Sequence, residues 1–203
     1  MKETVSVLSH RQRIGRRAAL SLTTLRLLIG PGLVVGALTG VSGRLLAIAI
    51  VVAAISDIVD GVIARRTGVA APDLRRFDSI ADTVCCLSAG LAVWMLHAPI
   101  VRAHSMLVAV VLTMQVVGHA FDVAKFGRDT SYHTWSGRLW GLTLFTSLTF
   151  IFATGDAGPW LNVALYCGIA SHIDAFVITM ILPEWRHDVR TIANALRIRH
   201  AAR

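Results

Sequence analysis

Charge is the scarcest property of this sequence. Asp, Glu, Lys and Arg make up 16% of its 203 residues, against 55% hydrophobic. A soluble domain carries about a quarter charged residues, so the composition points away from one and toward a membrane protein. Residues 83–101 and 103–121 contain no Asp, Glu, Lys or Arg at all. Cysteine is also rare. Cys85, Cys86 and Cys167 all lie inside apolar runs, which excludes a disulfide framework and leaves buried structural roles. There is no internal repeat and no low-complexity tract. A cleavable signal is not expected, because the first 18 residues are basic and polar and the apolar run after them is too long for a signal core. The length suits one domain.

A spanning helix needs about 20 mostly apolar residues. Six segments qualify: 19–42, 44–66, 78–101, 103–124, 137–155 and 158–183. The expected fold is therefore an all-α membrane protein of six transmembrane helices. A basic segment 1–18 precedes the spanning domain 19–185, and a basic tail 186–203 follows it. The tail "RHDVRTIANALRIRH" reads as an amphipathic helix on the membrane surface. With the N-terminus in the cytosol, all of the 20 Lys and Arg fall on the inner side except Arg44 and Arg102. That is the positive-inside pattern, and an even number of spans returns the C-terminus to the cytosol. Topology accounts for the net charge of +8, so a nucleic-acid partner is not expected.

The acids that remain are concentrated. Asp57, Asp60, Asp78 and Asp82 fall within "SDIVDGVIARRTGVAAPDLRRFDSIADTV". A carboxylate at the centre of a span costs about 2.5–3.5 kcal/mol even on a lenient insertion scale. Such groups face a bundle interior or a wet cavity and are functional by default. Asp57, Asp60, Gly61 and Ala64 stand at i, i+3, i+4 and i+7 and share one helical face, and Asp78 and Asp82 share another at i and i+4. A turn near "GVAAP" lets the two helices run antiparallel, so both acid faces meet in a cavity open to the cytosol. Four converging carboxylates repel unless cations neutralise them. Hard divalent ions take oxygen ligands, Mg2+ suits sites that also hold phosphates, and four acids suit two ions better than one. Gly61 and Ala64 leave room for a ligand to approach the backbone.

Asp57-x-x-Asp60-Gly61-x-x-Ala64-Arg65, then eight residues, Leu74, three residues, Asp78, three residues and Asp82 resembles the signature of the CDP-alcohol phosphatidyltransferases. Thr23-x-x-Arg26 followed by Pro31 is similar to the first span of that family, and "KFGRDTSYHTWSGRLWG" to its loop into the fifth. One position departs. Leu74 stands where the family has a second glycine, and is expected to narrow the nucleotide side of the site or to change how the third span begins. The resemblance implies an integral membrane enzyme that moves a phosphatidyl or similar group from a CDP-linked donor to an alcohol and releases CMP. It implies Asp57, Asp60, Asp78 and Asp82 as the metal set for Mg2+ or Mn2+, two divalent ions in all. Asp82 is the candidate catalytic base, and Gly61, Ala64 and Arg65 would line the nucleotide of CDP-diacylglycerol.

Lys125, Arg128 and Arg138 cluster near the expected fifth span and are candidate acceptor-binding residues for a phosphorylated alcohol, glycerol 3-phosphate or an inositol phosphate. Arg65 and the basic trio also fit the positive-inside bias alone. His119, Asp122 and His133 are further candidates for acceptor contacts, and Asp174 for tying the sixth span to the cavity or binding the acceptor. A homodimer in a bacterial-type cytoplasmic membrane is the expected setting. Two other classes stay open on the residues alone. A divalent-cation transporter also groups intramembrane acids, but its site belongs near the midplane, and the outer halves of these spans carry no acid. A non-catalytic membrane protein leaves the acid spacing unexplained.

Overall fold

The computed structural model describes residues 10–68, 72–128, 130, 132, 134–186 and 189–201. Among them are seven α-helices and no strand: α1 His10–Leu38, α2 Gly43–Thr67, α3 Pro72–Ala103, α4 Ser105–Phe126, α5 Trp135–Thr154, α6 Trp160–Ile181 and α7 Ile192–Ala201. Five stretches are long and apolar enough to cross a bilayer: α1, α2, α3 from Arg76, α4 and α6. The 20-residue α5, the expected fifth span, is not among them. Arg138 in its first turn, its hydroxyls (Ser136, Thr143, Thr146, Ser147, Thr149 and Thr154) and its indoles Trp135 and Trp140 dilute its apolar character.

Two helices begin earlier than expected. Helix α1 starts at His10, so much of the basic leader is helical, and residues 1–9 lie outside the described residues. Helix α3 starts at Pro72, which places Asp78 and Asp82 in its second and third turns rather than at its opening. Proline is tolerated in a first turn because its missing N–H would have had no intrahelical partner. Helix α2 ends on Gly68, whose left-handed φ of 67° lets its N–H reach the Ala64 carbonyl. The rest of the expected "GVAAP" turn, residues 69–71, lies outside the described residues. Helix α3 breaks at His97 (φ −135°, ψ 47°), two residues before Pro99, where a proline ring removes a helical donor.

The described chain forms two compact units. One holds α1, α2, α3 to Leu96 and the end of α5 at Phe152–Thr154. The other holds the rest of α3 and α5 with α4, α6 and α7. Lipid is as apolar as leucine, so helices in a bilayer associate through close packing of small residues. The first unit follows that rule. Ala53 of α2 and Ala81, Cys85, Ala89 and Ala92 of α3 are fully buried. Gly30 of α1 lies against α3 so closely that an added Cβ would sit 3.0 Å from the Cys85 Cα. Hydroxyls inside α1 bond back to the preceding turn, as Thr23 Oγ1 does to the Ala19 carbonyl at 3.0 Å. In the second unit, α7 packs on α6. Ala195 and Ile198 join Tyr132, Ile178, Leu182 and Val189 in one apolar cluster, so part of the apolar side of the tail helix is used within the protein. Residues 187–188 and 202–203 of the tail lie outside the described residues.

Leu74 is buried, packed against Ala19 and Leu20 of α1. The departure from glycine thus ties the start of α3 to α1. Leu74→Ala is expected to destabilise the protein by about 2–5 kcal/mol, the usual cost of truncating a buried leucine. Thermal unfolding in detergent would show this as a lowered Tm. An unchanged Tm with tighter donor binding would show instead that Leu74 faces the nucleotide.

Candidate functional site

The first unit brings three helices to one charged focus. On α2, the i and i+3 spacing puts Asp57 and Asp60 on a common face, as the sequence pattern requires. On α3, Asp78 and Asp82 do the same one turn apart. From α1 comes Arg26, which is wholly buried. Its Nη1 lies 3.0 Å from Asp57 Oδ1 and 3.1 Å from Asp78 Oδ1. The same nitrogen bonds Asp82, and Nη2 bonds Asp60. Thr23, one turn earlier, reaches Asp60 Oδ2 at 3.4 Å. One guanidinium therefore touches all four acids, and three negative charges are left uncompensated by it.

The acids are not equivalent. Asp60 is as good as buried, its side chain 6% exposed, whereas Asp57, Asp78 and Asp82 are 41%, 34% and 43% exposed. The focus is closed on the Arg26 side and open on the other. Carboxylate oxygens of Asp57, Asp60 and Asp78 all lie within 4.8 Å of one another. Asp82 is outside that group of three and joins the focus through Arg26. An all-oxygen donor set with surplus negative charge fits a hard divalent cation. Gly61 and Ala64 are half-buried beside the acids, and the exposed Arg65 folds back one turn, so that a Cβ added to Gly61 would lie 3.2 Å from its Nη1.

A family model for CDP-alcohol phosphatidyltransferase matches residues 17–181. The chain belongs to the CDP-alcohol phosphatidyltransferase family. No curated protein and no solved structure matches it. A CDP-alcohol phosphatidyltransferase is a transferase of substituted phosphate groups, active in phospholipid biosynthesis, that passes a phosphatidyl group from a CDP-alcohol to an alcohol. The family is generally dependent on divalent cations, and the acid cluster is compatible with that requirement. Together with its apolar helices, this makes the protein a multi-pass membrane enzyme.

The basic residues singled out for the acceptor belong to the second unit, and each has a local partner there. Lys125 Nζ donates to the carbonyls of Thr179 at 2.7 Å and Met180 at 3.1 Å, near the end of α6. The guanidinium of Arg128 stacks on Trp185 at 4.2 Å, and that of Arg138 on Trp135 at 5.0 Å. Asp122 accepts from Thr130 and, at 2.7 Å, from Thr179 Oγ1, which in turn lies 2.8 Å from the Tyr132 hydroxyl. Asp174 accepts from Ser136 Oγ at 2.6 Å. These bonds tie α4 and the start of α5 to α6, and give both acids a structural employment. His119 also has a partner, and His133 lies outside the described residues.

Arg26 is the functional candidate that the acid spacing did not reveal. Charge balance was the available signal. Asp57 to Asp82 form an anionic focus on two apolar helices, and a third, α1, carries a cation, Arg26, within its own apolar stretch.

Proposed function

We propose that this CDP-alcohol phosphatidyltransferase transfers the phosphatidyl group of CDP-diacylglycerol to a small phosphorylated alcohol, glycerol 3-phosphate or an inositol phosphate, and releases CMP. The observation that carries the reading is the convergence of Asp57, Asp60, Asp78 and Asp82 on one focus in a chain of this family. The first three acids would hold Mg2+ or Mn2+, and Asp82 joins the same focus through Arg26. When bound, the ions polarise the phosphoryl oxygens and stabilise the leaving phosphate of CMP. Asp82 accepts the proton of the acceptor hydroxyl as its oxygen attacks the phosphorus bearing the lipid. Its exposure and its place outside the close oxygen group support that role. Gly61 and Ala64 admit the nucleotide beside α2, and Arg65 neutralises part of its phosphate charge.

Lys125, Arg128 and Arg138 are the proposed acceptor contacts. A guanidinium stacked on a ring keeps its N–H donors at its edge, where a phosphate can take them in pairs. Acceptor choice is tested by offering the purified protein CDP-diacylglycerol, Mg2+ and a panel of neutral and phosphorylated alcohols, and weighing the lipid product. A phosphorylated product supports the reading. A product formed only from a neutral alcohol contradicts it.

The topology proposed with this function has six spans and both termini in the cytosol. At about 1.5 Å per residue, the 20 residues of α5 reach about 30 Å, enough to cross the hydrocarbon core. Cysteines introduced at the exposed Ser42 and Thr154, in a background lacking the native three, are expected to react with an impermeant thiol reagent added outside the cell. Reaction only after the membrane is opened would reverse the orientation.

A further inference from the structure

We propose that Arg26 is a positioning residue for the metal site: a permanent buried cation that holds the four carboxylates together before any divalent ion arrives. The inference rests on the metal-site reading above. The geometry behind it has three parts. Arg26 is 0% exposed, and it contacts Asp57, Asp60, Asp78 and Asp82 through two nitrogens of one rigid fork. Its position in depth is fixed by packing, since one turn further along α1 Gly30 sits against the α3 backbone at Cys85, and one turn earlier Thr23 reaches Asp60. And it lies on the closed side of the focus, while Asp57, Asp78 and Asp82 open on the other.

Four like charges at such separations repel strongly in a medium of low dielectric constant. With no cation among them, they would splay apart, and that change removes metal ligands from the focus. A guanidinium is always charged and bonds several carboxylates at once with fixed geometry. A carboxylate has two oxygens and about four lone-pair positions, so one contact per acid does not exhaust the set. Three negative charges remain over, enough to attract a divalent ion from the open side. Arg26 so acts as the floor of the site rather than as an occupant that an ion must evict. The two alternatives predict opposite signs. Removing a floor weakens metal binding, and removing an occupant strengthens it.

The test is a titration of Mn2+ into the purified full chain without substrate, followed by the loss of the free-ion EPR signal. Arg26→Gln is expected to bind Mn2+ about 10–100-fold more weakly than wild type, the range seen when a partner that orients metal ligands is removed. Arg26→Lys keeps the charge without the fork and is expected to fall between the two. Raising Mg2+ by about 100-fold should restore the turnover of Arg26→Gln, a rescue that a simple loss of folding would not allow. Wild-type affinity, or tighter binding, in a folded Arg26→Gln overturns the proposal. Should that variant not fold, Arg26→Lys decides, and an affinity equal to wild type overturns it. If the wild type itself does not bind Mn2+, the metal-site reading fails, and this inference fails with it.

Discussion

Asp82→Asn is expected to lower kcat by about 10²–10⁴-fold while Mn2+ and CDP-diacylglycerol binding stay within about ten-fold of wild type. That loss corresponds to about 3–5 kcal/mol of transition-state stabilisation, the usual worth of a general base. Asparagine keeps the size of aspartate and can still accept hydrogen bonds, but it cannot take the proton of the acceptor hydroxyl. The fold should tolerate the change. Arg26 retains Asp57, Asp60 and Asp78 as partners, so its buried charge is not orphaned. The oxygen group of Asp57, Asp60 and Asp78 is untouched as well. Measuring turnover beside Mn2+ and donor titrations separates the roles. If binding collapses along with rate, Asp82 is a metal ligand and the base lies elsewhere.

Asp57→Asn and Asp78→Asn should behave in the opposite way. Each removes a charged oxygen from the close group of three, so metal binding itself is expected to fall by more than the about 10–100-fold that loss of an outer partner causes. Turnover should fall with it and recover in part as Mg2+ is raised. Asp60 is a worse place to make this test, because it is nearly buried and bonds both Arg26 and Thr23. Loss of structure there would resemble loss of metal. The half-exposed Asp57 and Asp78 avoid that confusion. Unchanged Mn2+ affinity in both variants would remove these acids from the metal set.

Much of this arrangement is legible in the sequence because it is local. A face at i, i+3 and i+4 is a property of one helix, so the pairings of Asp57 with Asp60 and Asp78 with Asp82 follow from spacing alone. Apolar length likewise predicts the five helices that are long and apolar enough to cross a bilayer, although α5 shows the limit. With Arg138 in its first turn and hydroxyls along its length, its 20 residues form a helix that is not among the five apolar candidates. What the sequence hides is long-range. Arg26 meets Asp78 and Asp82 across 52 and 56 residues of chain, and no periodicity reports such a contact. Leu74 makes the same point. By type and place it can narrow the nucleotide side or change how the third span begins, and in the fold it packs α3 onto α1. Charge and bulk at a given position say what a residue can do, and the packing decides which of those uses it is put to.

On the proposed mechanism, the acid focus supports transfer only with a divalent ion in place. The most direct measurement is CMP release by the wild-type protein from CDP-diacylglycerol in the presence of a phosphorylated acceptor, first in EDTA and then as Mg2+ is added back. No release above background is expected in the chelator, and release is expected to return, with one CMP formed per phospholipid, as Mg2+ saturates. CMP release in EDTA at the rate seen with Mg2+ would contradict the mechanism.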